Sequence, residues 1–196
     1  MPRGKPIVRG PANLVPRTMI KILALPGSLR ANSSSNKILS AVISMAPAEV
    51  SIEQFDGVGN LPHFNDSDEP DPRVEEFRTK IKTADAVLIC TPEYAFGVPG
   101  SLKNALDWTV ASGEFIDKPV GLITASSQGE KGHAALLLIL TAISSTVVSD
   151  ATLLISFVRS KLDSEGRIKD PQVSNDLNHA LHALLQHVET KNFFEK

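Results

Sequence analysis

The sequence lacks most of the features that mark secreted, membrane and nucleic-acid-binding proteins. Cys90 is the single cysteine among 196 residues, so no intramolecular disulfide can form and nothing requires an oxidising compartment. No stretch approaches the roughly 18 consecutive apolar residues of a membrane span. The net charge is -2 and no long basic run is present, which gives no electrostatic reason to expect nucleic acid as a partner. We therefore predict a soluble, cytoplasmic protein that neither spans a membrane nor binds nucleic acid.

Two common phosphate-binding motifs are absent, and so are the spacings typical of zinc sites. No G-x-x-x-x-G-K-[ST] is present, and no G-x-G-x-x-G follows the strand predicted near the start of the chain. The cysteine and the histidines are not spaced as zinc ligands, so we predict no metal. Four of the histidines are expected to be surface residues: His63, His179, His182 and His187.

What the sequence does contain is a fivefold alternation of strand-like and helix-like segments. The predicted strands cover 20–25, 50–55, 86–90, 119–125 and 152–158. The first predicted helix ends before Pro47, and the other four helices cover 72–84, 100–111, 132–148 and 173–188. Parallel strands need crossover connections, and alternation supplies them as helices. We therefore predict an α/β protein with a doubly wound, five-stranded parallel sheet and helices on both faces.

We expect that sheet to form a single domain over residues 19–196. Residues 1–18 combine four basic residues with several prolines and have no apolar core of signal-peptide length. They are predicted to be a flexible N-terminal extension. Cys90 ends an apolar strand and is expected to be a core residue without a chemical role.

The loop after the first strand is rich in groups that bind anions. Gly27 ends the strand, and hydroxyl, amide and guanidinium side chains follow: Ser28, Arg30, Asn32, Ser33, Ser34, Ser35 and Asn36. Because the loop opens onto a helix N-terminus, it can bind a phosphate group. The alternative is that Ser and Asn only cap the helix and that Arg30 is a solvated charge.

Two further loops should lie beside this one, since ligands of parallel sheets bind at the carboxyl ends of the strands. The loop from Thr91 to Gly100 has prolines near both ends, and Tyr94 and Phe96 can offer apolar surface to a flat heterocycle. The alternative is a stiff turn whose aromatic side chains fill a gap in the core. The loop from Ser126 to His133 either lets a planar ligand and a second substrate approach or is an ordinary connection with a capping serine.

These motifs resemble those of one family. Gly27-Ser28-Leu29-Arg30 with Ser34 and Asn36, together with Thr91-Pro92-Glu93-Tyr94 and the stretch from Pro99 to Trp108, resembles the NAD(P)H-dependent FMN reductases. That family has a flavodoxin-like fold and includes quinone, chromate and azo-dye reductases. The resemblance implies bound FMN, NADPH or NADH as co-substrate, and a small-molecule electron acceptor.

The resemblance also implies which residues form the site. The FMN phosphate would lie among Ser28, Arg30, Ser34, Ser35 and Asn36, and the ring against Pro92, Glu93, Tyr94 and Ala95, with Ser126, Ser127 and Gly129 on the third loop. No catalytic side chain is expected, because the flavin carries the chemistry. His133 is a candidate for tuning the pH dependence of turnover; the alternative is a solvated residue in the first turn of a helix.

The sequence departs from the family pattern at several positions. The first loop is one residue longer than G-S-x-R-x-x-S-x-N, which leaves Ser33, Ser34 and Ser35 as alternative phosphate contacts. Ala95 stands where many relatives have Asn, and Thr141 where many have Arg. The resemblance implies a homodimer or homotetramer built through the helices after strands three and four. An electron-carrier flavodoxin without NAD(P)H oxidation of its own is the alternative function.

Overall fold

Five parallel strands form one sheet in the order β2-β1-β3-β4-β5 in the computed structural model, which describes residues 19–66 and 71–194. The strands are β1 (Ile20–Pro26), β2 (Val50–Gln54), β3 (Ala86–Thr91), β4 (Pro119–Ala125) and β5 (Thr146–Ile155). The helices are α1 (Ser34–Ser44), α2 (Pro72–Thr83), α3 (Gly100–Asp107), α4 (Glu130–Ala142) and α5 (Pro171–Phe194). The predicted extension over 1–18 lies outside the described residues. Among the described helices, none has the length and apolar character needed to cross a bilayer.

The sheet is covered on both faces because its central strands are apolar throughout. All residues of β3 and β4 are buried, as expected of interior parallel strands. Successive side chains of β1 point to opposite faces, so Ile22 packs on the side of α1 and α5 while Leu23 packs on the side of α2, α3 and α4. The predicted doubly wound sheet is confirmed, and its strand order is that of the flavodoxin-like fold. Cys90 lies fully buried in the first of these two core layers.

The boundary between α4 and β5 was predicted wrongly. The helix predicted over 132–148 ends at Ala142, and Ser144 has a positive φ of 59° that interrupts the helical backbone. Residues 146–148 then pair with β4 through Thr146 and Val147, so the strand predicted over 152–158 begins six residues earlier. Most residues from 134 to 148 are apolar, with a short polar stretch at 144–146, and periodicity alone does not separate a buried helix from a buried strand.

Candidate cofactor-binding site

A cleft of about 220 Å³ lies at the carboxyl edge of the sheet, where β1, β3 and β4 end. It is lined by Arg30, Ser33, Ser34, Ser35, Pro92, Glu93, Tyr94, Ala125, Ser126, Ser127, Val158 and Arg159. Eight of the twelve residues predicted for the site therefore line one cleft. The other four, Ser28, Asn36, Ala95 and Gly129, lie in the same loops outside that lining.

Asn36 holds the loop after β1 in its shape. Its side-chain Nδ2 donates hydrogen bonds to the carbonyl oxygens of Ser28 and Arg30, each at 3.2 Å. Asn36 Oδ1 is buried and has no hydrogen-bond partner within the described part of the chain. A buried acceptor left without a donor costs free energy, and this cost accompanies the two hydrogen bonds by which the same amide shapes the loop.

The three consecutive serines at the start of α1 have different surroundings. Ser33 is the N-cap of α1, and its Oγ accepts a hydrogen bond from the backbone N–H of Asn36 at 3.1 Å. Ser35 is buried, and its Oγ lies 3.2 Å from that of Ser33. Ser34 is half-buried in the cleft wall, and within the described residues its hydroxyl makes no hydrogen bond. Ser34 is thus the serine whose hydroxyl is available to a ligand.

The loop after β3 is a tight turn with strained backbone. The backbones of Tyr94 and Gly97 form two hydrogen bonds, at 3.0 and 2.9 Å, across Ala95 and Phe96. Both central residues have positive φ, 48° and 60°, as in a type I′ turn. This conformation favours Asn and Gly over Ala and Phe. Tyr94, next to the turn, is 51% exposed at the cleft mouth.

The loops after β3 and β4 are bonded to each other through Glu93. Its carboxylate Oε2 accepts a hydrogen bond from the backbone N–H of Gly132 at 2.7 Å, in the first turn of α4. Its own backbone N–H donates to Ser126 Oγ at 3.2 Å. A Cβ at Gly132 would lie 3.0 Å from both Glu93 Cγ and the carbonyl oxygen of Gly97, so glycine allows this close contact without displacing its neighbours. The Glu93 side chain therefore fixes the shape of the cleft by joining its walls.

The loop after β4 is in turn bonded to the segment after β5. Ser126 and Ser127 accept hydrogen bonds at their carbonyl oxygens from the backbone N–H groups of Val158 and Phe157, both at 3.0 Å. Gly129 is the N-cap of α4 with φ of 100°, which explains a glycine there although its atoms do not line the cleft.

Arg159 is the one charged lining residue that was not predicted from the sequence; Ala125 and Val158 also line the cleft without having been predicted. Arg159 lies in a short 3₁₀ turn, Val158–Lys161, that follows β5 and brings its side chain to the same end of the cleft as Arg30. The sequence carried one usable signal, since Arg159 follows a predicted strand directly. The strand was placed over 152–158, which left the turn unrecognised.

His133 is half-buried, and its Nδ1 lies 2.8 Å from the hydroxyl of Thr124, a fully buried residue of β4. It is therefore bonded to the sheet and only partly exposed to solvent. Burial lowers the pKa of its imidazole. The thiol of Cys90 donates to the carbonyl oxygen of Ser35 at 3.1 Å, and burial raises its pKa, so it stays protonated and unreactive.

The strand order and the position of the cleft define a flavodoxin-like α/β protein, because the cleft lies where the order of strands reverses, between β1 and β3. Comparison with known proteins agrees. The family model described as NADPH-dependent FMN reductase matches residues 20–159. The chain therefore belongs to the NADPH-dependent FMN reductase family, a family of flavin-dependent oxidoreductases.

Individual relatives support the same assignment. An NAD(P)H-dependent FMN reductase of Pseudomonas aeruginosa is 33% identical over 174 residues, which cover 84% of this chain and 93% of that protein. A quinone reductase of Escherichia coli is 29% identical over 181 residues, or 87% of this chain and 96% of that protein. Among solved structures, the flavoenzyme NAD(P)H:(acceptor) oxidoreductase FerB of Paracoccus denitrificans superposes with a TM-score of 0.77 at 26% identity, covering 87% of this chain and 98% of that one.

Proposed function

We propose that this chain holds FMN in the cleft at the carboxyl edge of the sheet and uses NAD(P)H to reduce a quinone or a similar small acceptor, such as an azo dye, a metal oxyanion or free flavin. The observation that carries the proposal is the cleft itself. It joins anion-binding groups of the loop after β1 to a wall formed by the loops after β3 and β4. Bound FMN would supply the redox chemistry, accepting a hydride from the nicotinamide and giving electrons to the acceptor.

We assign the phosphate of FMN to the end of the cleft at Arg30 and Ser34. The guanidinium is exposed, the Ser34 hydroxyl has no other hydrogen bond in the described chain, and the N-terminus of α1 points its positive dipole end at the same place. Ser28 and Asn36 act indirectly by shaping the loop, and Ser35 lies beneath it.

We assign the flavin ring to the opposite end, against Pro92, Glu93 and Tyr94 on one loop and Ser126 and Ser127 on the other. Ala95 and Gly129 contribute through backbone geometry. The exposed ring of Tyr94 leaves the mouth open, and an open mouth admits the nicotinamide and then the acceptor in turn. Relatives named as reductases of quinones and azo compounds support this class of acceptor: a 2-hydroxy-1,4-benzoquinone reductase of Burkholderia and an NADPH azoreductase of Bacillus.

We propose a homodimer or homotetramer as the working form. The support is a set of apolar side chains exposed on and after the helices that follow β3 and β4, with Val110 60%, Ile116 60% and Leu138 73% exposed. Light scattering during size-exclusion chromatography measures the state directly. Leu138→Glu should shift it toward the monomer if α4 forms the interface.

We also propose the cytoplasm as the cellular location. The single cysteine is buried and protonated, so the protein gains nothing from an oxidising compartment. Fractionation of cells that carry the tagged chain would test this, and recovery of the protein outside the cytoplasm would contradict it.

The decisive experiment for function has two parts. Full-length protein incubated with FMN and then desalted should retain a visible flavin spectrum, and it should consume NADPH or NADH at steady state when a benzoquinone is present. Absence of flavin after incubation would overturn the proposed site. Retained flavin without turnover would favour an electron carrier instead, although the family match supports the reductase.

A further inference from the structure

A second groove continues from the phosphate end of the cleft. It has a volume of about 400 Å³ and is lined by Arg30, Asn32, Ser34, Lys37, Arg159, Leu162 and Asp163. Arg30, Ser34 and Arg159 line both the groove and the cleft, so the two spaces meet at these side chains. None of the ring-end residues Pro92, Glu93 and Tyr94 lines the groove. A molecule that fills both spaces must therefore extend beyond the flavin phosphate, away from the ring.

The groove is positively charged. Arg30, Lys37 and Arg159 line it, and in the part of the chain that the structure describes none of them forms an ion pair. The one carboxylate in the lining is already occupied, because Asp163 accepts hydrogen bonds from the backbone of Glu165 and Arg167 and from the Arg167 guanidinium. These contacts keep the pKa of Asp163 low, and its charge is turned toward Arg167.

The number of cations exceeds what one phosphate monoester needs. Arg30, the Ser34 hydroxyl and the N-terminus of α1 already provide a guanidinium, a donor and a helix dipole for the phosphate of FMN. Arg159 lines both the cleft and the groove, whereas Lys37 lines the groove but not the cleft. Arg159 and Lys37, two cations without ion pairs in the described chain, lie next to the proposed phosphate position and could bind a second phosphate group attached to the first.

We infer that this groove binds the second phosphate and the adenosine of a dinucleotide flavin, so that the protein binds FAD as well as FMN. This inference rests on the proposed FMN site. Arg30 and Arg159 would contact the pyrophosphate, and Lys37 the phosphate nearer the adenosine. The remaining volume, in the range of ordinary small-molecule sites, would receive the nucleoside beside Leu162 and Asn32.

The test compares FMN and FAD on the flavin-stripped full-length protein by titration of flavin fluorescence. The wild type should bind one FAD with a Kd within about tenfold of that for FMN. Lys37→Gln should weaken FAD binding about fivefold, the size expected for one exposed charge pair, and leave the Kd of FMN within about twofold. Lys169→Gln, an exposed lysine outside the lining, is the matched control and should change neither value.

Several outcomes would overturn the inference. If FMN binds and FAD does not, or if Lys37→Gln weakens both flavins equally, the groove does not receive the second phosphate, while the proposed FMN site stands. If neither flavin binds, the proposed site itself fails. A selective rise in KM for NADPH over NADH in Lys37→Gln, with both flavin affinities unchanged, would assign the groove to the 2′-phosphate of the hydride donor and overturn the FAD assignment.

Discussion

At the scale of single residues, the strained turn beside the cleft gives a prediction with a defined sign. Ala95 has φ of 48°, a conformation that costs an L-residue roughly 1–2 kcal/mol and costs glycine little. Ala95→Gly should therefore raise the free energy of unfolding by up to about 1 kcal/mol, after allowance for the greater freedom of glycine in the unfolded chain. Urea titration followed by circular dichroism measures the change.

The same substitution at a helical position provides the control. Ala134 is exposed within α4, where glycine is unfavourable, so Ala134→Gly should lower stability by about 1 kcal/mol. Equal destabilisation at both positions would contradict a strained backbone at Ala95.

His133 gives a prediction of pH dependence. Its pKa in the folded protein is lowered by burial, so the folded protein binds fewer protons at this site than the unfolded chain does near pH 6.5. The contribution of neutral His133 to the free energy of unfolding is present above about pH 6.5 and is lost as the pH falls through the lowered pKa. The free energy of unfolding should therefore decline on acidification from about pH 7.5 to 5, and His133→Gln should reduce that decline.

Turnover offers a separate test of whether His133 acts at the flavin. The imidazole is bonded to Thr124 in the strand that leads into the cleft wall, so its charge can influence the site. If His133→Ala leaves the pH profile of NADPH oxidation unchanged, His133 has only a structural role.

At the scale of secondary-structure elements, the contact between α4 and the loop after β3 gives the sharpest prediction. A Cβ at Gly132 would lie 3.0 Å from the Gly97 carbonyl oxygen, a tight contact, so we expect Gly132→Ala to displace the loop or the helix slightly. Overpacking of this kind costs roughly 1–3 kcal/mol, and the displaced Glu93 should also weaken FMN binding. Thermal unfolding and FMN titration measure the two effects.

Gly100 provides a matched control at the start of α3. Nothing lies within 4 Å of a Cβ built there, so Gly100→Ala should leave stability unchanged or raise it slightly. If Gly132→Ala and Gly100→Ala lowered stability by similar amounts, the loss could not be assigned to the close contact between α4 and the loop after β3.

The elements also show how far sequence reasoning reaches. The strands β1, β3 and β4 were predicted closely because each is a short apolar run bounded by turn residues. The end of α4 was missed because the polar stretch Ser144–Thr146 is short and the valines that follow it suit either a helix or a strand. The pairing of these residues with β4 makes them a strand rather than part of the helix, and pairing between separate segments leaves no local pattern in the sequence.

At the scale of the whole molecule, the sequence predicted which loops form the site but not which of their side chains face the cleft and which support the loops. Motif residues Arg30 and Ser34 do lie in the cleft, whereas Asn36 and the Glu93 carboxylate are bonded to the protein itself. Residue type does not separate a side chain that faces a ligand from one that supports a loop. Arg159 escaped prediction because its turn follows the last strand and reaches the cleft only once β5 has paired with β4.

The hydrogen bonds between loops have a consequence for how the site opens. They run in the order of the strands: Gly27 donates to Cys90, Glu93 to Ser126, and Val158 to Ser126, each through its backbone N–H. Segments bonded to one another in this way are expected to open together when their amides exchange with deuterium. A flavin bound against the loops after β1, β3 and β4 should therefore slow hydrogen exchange in the segment after β5 as well, because Val158 lines the cleft and its N–H is bonded to Ser126. Mass spectrometry of labelled peptides from that segment would measure the effect.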